Sequence, residues 1–257
     1  MDANLTAHKH FMHREYEKAA ELYKEGARSG DVAAAFNYGY CLWRGLGVDY
    51  DPEGAKSYFV FARDMEGGES CYNLAMLYMH GEGVKRDYRQ VIRYMRIAAQ
   101  HGCTEAKLYL GMAFTTGAVF EPDIQGICMI PFHKPEYRMP DTFLLTGDVF
   151  DAEEDEEARM SVISADGVSA FEYFRSAAHS DPTYVEELVA KGQYLYAKCY
   201  IDGLGTDYNR EKGNLLMLAA GKSGSREAVA FLAENGITPE MLLGDGRSKK
   251  YGRSGGV

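Results

Sequence analysis

Three histidines near the start of the chain, His8, His10 and His13, are the first residues whose types and spacing suggest chemistry. A zinc site needs three or four ligands that converge from different elements. On a helix, His10 and His13 lie on one face, but His8 does not join them. The spacing therefore favours an exposed helical start over a metal site, and we expect neither a metal nor another cofactor.

One cysteine and one histidine, Cys128 and His133, form a pairing that resembles a nucleophile with its base. They lie in a proline-rich stretch, and the neighbouring sequence offers no group that would orient the base. The chain also lacks the H-E-x-x-H, C-x-x-C, P-loop and G-x-S-x-G motifs. We therefore predict a non-enzymatic protein and keep a hydrolase that uses Cys128 and His133 as a remote alternative.

Composition narrows the class of protein. The chain has 257 residues, a formal net charge of −10 and a hydrophobic content of 46%, so global disorder is excluded. The acidic balance argues against nucleic-acid binding, which requires basic surface. We expect no membrane span and no secretion signal, because no apolar run is long enough for either. Together with five cysteines that show no pairing pattern, this predicts a cytoplasmic protein with reduced thiols.

A repeat of 36 residues organises the chain. AAFNYGYCLWRGLG (34–47) aligns with SCYNLAMLYMHGEG (70–83), and further copies contain Gly117 and Gly203. In each copy, small residues lie eleven and six positions before the first turn glycine, and large residues lie seven and three positions before it. These spacings place all four positions on one face of a helix. The glycine ends this first helix, and a second helix follows the turn.

Two antiparallel helices per repeat cannot bury their apolar faces alone, whereas stacked pairs can. The sequence therefore predicts an all-α fold, an α-solenoid of antiparallel helix pairs with one long irregular insertion. We assign residues 1–244 to a single solenoid that opens with a lone helix of the second type at 16–30. The expected segments are a helical start at 1–31, repeats at about 32–67, 68–104, 105–180 and 181–224, capping helices at 225–244, an insertion at 118–166 and a disordered basic tail at 245–257.

The stretches YNLAMLYMHGEGV (72–84) and DYRQVIRYMRIAAQHG (87–102) resemble a Sel1-like repeat, a longer relative of the tetratricopeptide repeat. YEKAAELYKEGARSGD (16–31) is similar to the second half of that repeat. The resemblance implies a solenoid adaptor that binds a partner protein or peptide and has no shared catalytic residues. Some secreted members of the family carry a cysteine pair in every repeat, and this chain departs from that pattern.

The first helix of each pair usually lines the concave face of such a solenoid, so we predict the partner site there. Its exposed stripe is expected eight, five and one positions before the turn glycine. The predicted partner-binding residues are Asn37, Tyr40, Arg44, Asn73, Met76, His80, Tyr109 and Met112. Amides bond peptide backbone, and aromatic and methionine side chains adapt to apolar groups. The alternative is that several of these side chains pack between repeats, and for Trp43 packing is favoured.

The insertion carries a dense acidic run at 148–157 that sets most of the net charge. Its members are Asp148, Asp151, Glu153, Glu154, Asp155, Glu156 and Glu157. A solvated loop tip is the simple interpretation, because like charges repel. Docking on a basic partner is the alternative, and the spacing for calcium is absent. We therefore predict a monomeric adaptor for a protein or peptide, with a regulator that acts through this run as the second hypothesis.

Overall fold

A computed structural model of the chain describes residues 3–64, 67–120, 122, 162–182, 186–239 and 241. These residues form eleven α-helices with defined bounds and no β-strand. The chain divides into two compact units, Met1–Asp166 and Gly167–Val257. Among the described helices, none is both long and apolar enough to cross a membrane.

The described residues of the first unit form seven helices that pack against their neighbours in sequence. They are α1 Ala3–Met12, α2 Tyr16–Arg28, α3 Val32–Arg44, α4 Pro52–Asp64, α5 Gly68–His80, α6 Tyr88–Gln100 and α7 Thr104–Thr116. Helix α1 packs on α2 just as α3 packs on α4 and α5 on α6. The prediction of a lone opening helix is therefore wrong, because a helix of the first type precedes it and completes the pair.

Local chemistry defines the ends of the first-type helices. The Asp31 carboxylate accepts a hydrogen bond from the Ala34 N–H at 2.9 Å and caps α3. Helices α3, α5 and α7 end at Gly45, Gly81 and Gly117, whose φ angles are 62°, 73° and 73°. Glycine adopts this left-handed conformation without a Cβ penalty. The predicted helix ends are confirmed at all three turns.

The second turn glycine joins each repeat to the one before it. A Cβ at Gly83 would lie 2.7 Å from the backbone nitrogen of Glu53, at the start of α4. Real Cβ atoms essentially never approach heavy atoms this closely, so only glycine fits. A Cβ at Gly47 would lie closer still to the backbone of Tyr16, at the start of α2. The G-x-G pattern therefore marks a contact between repeats as well as a turn.

The small residues of the first-type helices allow the second helix to approach. A Cβ at Gly39 would lie 3.0 Å from the Cβ of Tyr58 and 3.1 Å from the ring of Phe59 in α4. The residues predicted for this packed face are buried in all four copies, except that Tyr78 and Tyr196 are partly exposed. The predicted packing face is therefore confirmed, with two tyrosines at its edge.

The turn of the third copy closes as the others do, despite its long connection. The Asp166 N–H donates a hydrogen bond to the Phe114 carbonyl at 2.8 Å. The equivalent bond in the second repeat runs from the Asp87 N–H to the Tyr78 carbonyl at 3.1 Å. Val119 occupies the position of the second turn glycine, and its side chain is buried.

In the part of the second unit that the structure describes there are four helices, α8 Gly167–Ala178, α9 Glu186–Asp202, α10 Arg210–Lys222 and α11 Arg226–Glu234. Helix α9 packs on α8 and α10. A Cβ at Gly205 would collide with the Gly167 carbonyl at the start of α8. The close approach of the second turn glycine to the preceding second-type helix is thus found in this unit too. Helix α11 lies within the segment expected to cap the solenoid.

Candidate functional site

The predicted concave stripe lies mostly in the interior. Asn37, Tyr40, Asn73, Met76 and Tyr109 are buried, and only the remaining three are partly exposed, namely Arg44, His80 and Met112. The prediction of an exposed stripe is therefore wrong for the five buried residues. Their side chains have no surface with which to contact a partner in this conformation.

Neighbouring elements cover the faces that were expected to be open. The Tyr40 ring lies edge-on to the Phe11 ring of α1, with centroids 6.4 Å apart. The Tyr109 ring stacks at 4.6 Å on Phe120, at the beginning of the insertion. Helical periodicity identifies the face that meets the partner helix, but it does not show that another element covers the opposite face.

The histidine cluster does not assemble. His8 is buried, and its Nδ1 atom lies 3.2 Å from the Tyr23 hydroxyl. The Nδ1 atom of His10 lies 2.5 Å from the Glu15 carboxylate, and His13 is exposed. Burial lowers the pKa of His8 to about 4. The prediction of an exposed start is wrong for His8, because α1 packs on α2. Within the described residues, no group of three or more His, Cys, Asp or Glu side chains can hold a metal ion.

Four thiols are buried in the helical cores, at Cys41, Cys71, Cys103 and Cys199. Burial raises the pKa of Cys41 and Cys199 to about 12 and that of Cys71 to about 11, and it also raises the pKa of Cys103. A reactive cysteine needs a lowered pKa and access to solvent. These four residues therefore have the properties of packing residues.

Three predicted features lie outside the described residues. They are the Cys128–His133 pair, the acidic run at 148–157 and the basic tail at 245–257. The hydrolase alternative and the hypothesis of a regulator that acts through the acidic run therefore stay predictions.

Trp43 joins the first repeat to the second. Its indole N–H donates a hydrogen bond to the carboxylate of Glu82, which lies between the two turn glycines of the second repeat. The Tyr50 hydroxyl donates to the other oxygen of that carboxylate at 3.3 Å. The Arg44 guanidinium lies 3.8 Å from the centroid of the Trp43 ring. Desolvation lowers the pKa of Arg44, and the nearby Glu82 charge counteracts this. Packing, the favoured role for Trp43, is confirmed.

An open groove of about 820 Å³ lies on the first unit at the second repeat. The end of α5, the turn after it and the first turn of α6 form most of its wall. Lys56 of α4 and Val162, near the end of the insertion, complete the lining. The contact between Gly83 and the start of α4 brings these elements together.

The rim of this groove is cationic. Lys85, Arg86 and Arg89 are exposed and Lys56 is partly exposed. Among the described residues that line the groove, Asp87 is the only carboxylate. It caps α6 by accepting two hydrogen bonds from backbone N–H groups, at 2.9 and 3.2 Å. The groove therefore concentrates positive charge in a chain whose net charge is −10.

The wall of the groove is aromatic and aliphatic. The Tyr78 ring stacks on the Tyr94 ring with centroids 5.6 Å apart, and Val84 and Val162 are partly exposed. This site was not predicted from the sequence, because exposed binding residues were expected on the first-type helices alone. The available signal was the run KRDYR (85–89), directly after the G-x-G turn.

Paired antiparallel helices joined by G-x-G turns define an all-α repeat protein with a solenoid fold. A family model of the Sel1 repeat matches residues 14–31, 32–65, 68–103, 161–182 and 190–225, which together form more than half of the chain. The chain belongs to the Sel1 repeat family. This family indicates, in general terms, a scaffold for protein–protein interaction.

Two solved structures share the fold. One is a Sel1 repeat protein from Oxalobacter formigenes, with 21% identity and a TM-score of 0.56 over 85% of this chain and 69% of that chain. The other is c5321, a protective antigen of uropathogenic Escherichia coli strains, with 18% identity and a TM-score of 0.61. It is matched over 91% of this chain and 41% of its own, so the present chain spans less than half of its length. A search of curated proteins found no match.

Proposed function

We propose that the chain is a non-enzymatic adaptor that binds a segment of a partner protein in the groove of the second repeat. One observation carries the proposal: an open groove of about 820 Å³ joins an aromatic wall to a cationic rim. Tyrosine and arginine are enriched among the residues that dominate binding energy at protein interfaces. The general role of the family as a scaffold supports the proposal, and the buried thiols support a cytoplasmic location.

The groove is held in place by contacts on both sides of its turn. Gly83 lies against the start of α4, and the Glu82 carboxylate accepts the indole hydrogen bond of Trp43. The Asp87 N–H is bonded to the Tyr78 carbonyl at 3.1 Å. A site formed before its ligand arrives loses less conformational entropy on binding. His80 and Met112, which keep exposed surface, are further candidate contacts for a longer segment.

Site-specific photocrosslinking tests this proposal in the full chain. A photoreactive amino acid is placed at Lys85, on the rim of the groove, and at Glu21, an exposed position on α2. We expect the Lys85 probe to crosslink one protein in native cell extract, and the same protein again after purification. The Glu21 probe should not crosslink it. Equal crosslinking from both positions, or none from Lys85, contradicts the proposal.

A further inference from the structure

We propose that the groove of the second repeat binds an acidic protein segment, in which aspartate and glutamate alternate with aromatic or aliphatic residues. This inference rests on the proposed function and names the chemistry of the occupant. It is carried by a reversal of charge at equivalent positions of the repeats, together with the geometry of the groove.

The three exposed cations of the rim, Lys85, Arg86 and Arg89, lie four, five and eight positions after the first turn glycine. The first and last repeats carry Asp, Tyr and Glu, in that order, at these positions. Those residues are Asp49, Tyr50 and Glu53 in the first repeat, and Asp207, Tyr208 and Glu211 in the last. Only the second repeat, of these three, presents positive charge here.

The requirements of the helix favour the acidic residue. The N-terminus of a helix carries partial positive charge, which a carboxylate in the first turn stabilises and a cation opposes. Three second-type helices follow this rule at their second residue, with Glu17 in α2, Glu53 in α4 and Glu211 in α10. Helix α6 has Arg89 there and no acidic residue in its first turn. Residues that break a local folding rule are expected at functional sites.

The side chains that line the groove favour a protein segment as its ligand. Arginine binds carboxylates through paired N–H groups, and Lys85 and Lys56 add positive charge along the same rim. Tyr78, Val84 and Val162 line the same groove and give apolar side chains a surface to contact. The net charge of −10 disfavours the binding of a nucleic acid, because its extended phosphate backbone is also negative.

Fluorescence anisotropy on the full chain tests the chemistry of the occupant. The probe is a fluorescein-labelled peptide of sequence EEYEEFEE, and its uncharged counterpart is QQYQQFQQ. The test variant combines Lys85→Asp, Arg86→Tyr and Arg89→Glu, which are the residues that the first and last repeats carry at these positions. The control variant combines Lys18→Tyr, Arg210→Glu and Arg226→Glu, which makes the same change in net charge at exposed positions outside the groove.

We expect the acidic peptide to bind at least about tenfold more tightly than its uncharged counterpart, with an affinity that falls as salt rises. The test variant should lose at least about tenfold in affinity, and the control variant should stay within about twofold of the unmodified chain. Equal binding of the two peptides, or equal loss in both variants, overturns the inference. Tighter binding of a single-stranded oligonucleotide than of the acidic peptide also overturns it.

Two further outcomes assign the groove to another occupant and overturn the inference. The first is peptide binding that appears only when the acids of 148–157 are changed to Asn and Gln, which would place the chain's own acidic run in the groove. The second is a dimer that dissociates in the test variant, which would indicate the acidic turns of a second copy. The Lys85 crosslink separates the two proposals. If the probe at position 85 still crosslinks the same protein when Arg86→Tyr and Arg89→Glu are introduced beside it, binding in the groove stands and only the acidic chemistry fails.

Discussion

A buried histidine makes the first helix pair sensitive to pH. His8 has no exposed surface, and its Nδ1 atom lies 3.2 Å from the Tyr23 hydroxyl of α2. Desolvation lowers the pKa of His8 from 6.5 to about 4. As the pH falls below about 6.5, the unfolded chain therefore takes up a proton that the folded chain excludes until about pH 4.

The sign and size of the effect follow from this pKa difference. Because the folded-state pKa lies below the unfolded value, the free energy of unfolding falls as the pH decreases through 6.5. Each unit of pKa difference corresponds to about 1.4 kcal/mol. His8 therefore costs the folded state about 2 kcal/mol at about pH 5 and about 3 kcal/mol near pH 4, and nothing above about pH 7.5.

Urea unfolding at about pH 7.5 and about pH 5, followed by circular dichroism, measures this contribution. The His8→Gln variant removes the titrating group, so it should lose about 2 kcal/mol less than the unmodified chain between the two pH values. The His13→Gln variant changes an exposed histidine and should follow the unmodified chain. The same pH dependence in the unmodified chain and in His8→Gln would refute the assignment of a buried, neutral imidazole to α1.

Three other predictions concern the contacts between repeats and the burial of the thiols. Gly83→Ala should lower the free energy of unfolding by more than about 2 kcal/mol. The control is Gly102→Ala, which should cost about 1–2 kcal/mol because Gly102 has a positive φ but open space around its Cβ. Equal losses would contradict the close approach of Gly83 to α4. Glu82→Leu should cost about 1–2 kcal/mol and shift the fluorescence of Trp43, and an unchanged emission spectrum would argue against the indole hydrogen bond. The buried thiols should resist iodoacetamide until urea is added. These thiols are Cys41, Cys71, Cys103 and Cys199. If mass spectrometry finds any of them labelled in the native chain, that result would contradict their burial.

The repeat and its helix ends were predictable from the sequence because they depend on local chemistry. A glycine with positive φ ends a helix wherever it stands, as at Gly45 and Gly81. The burial of Tyr40 and Tyr109 was not predictable in this way. It depends on Phe11 and Phe120, which lie outside the aligned repeat and cover these rings. A spacing rule that is correct for one helix face gives no information about elements that pack from elsewhere.

The repeats nevertheless supply an internal standard against which each deviation can be explained. Val119 replaces a turn glycine where the insertion begins, and its side chain is buried. Glu82 replaces the leucine that the first and last repeats carry between their turn glycines, and it binds the indole of Trp43. Arg89 replaces a glutamate that would suit the helix terminus better, and it faces an open groove instead. The first two deviations have reasons within the fold, and the third agrees with the acidic partner that we propose for the groove.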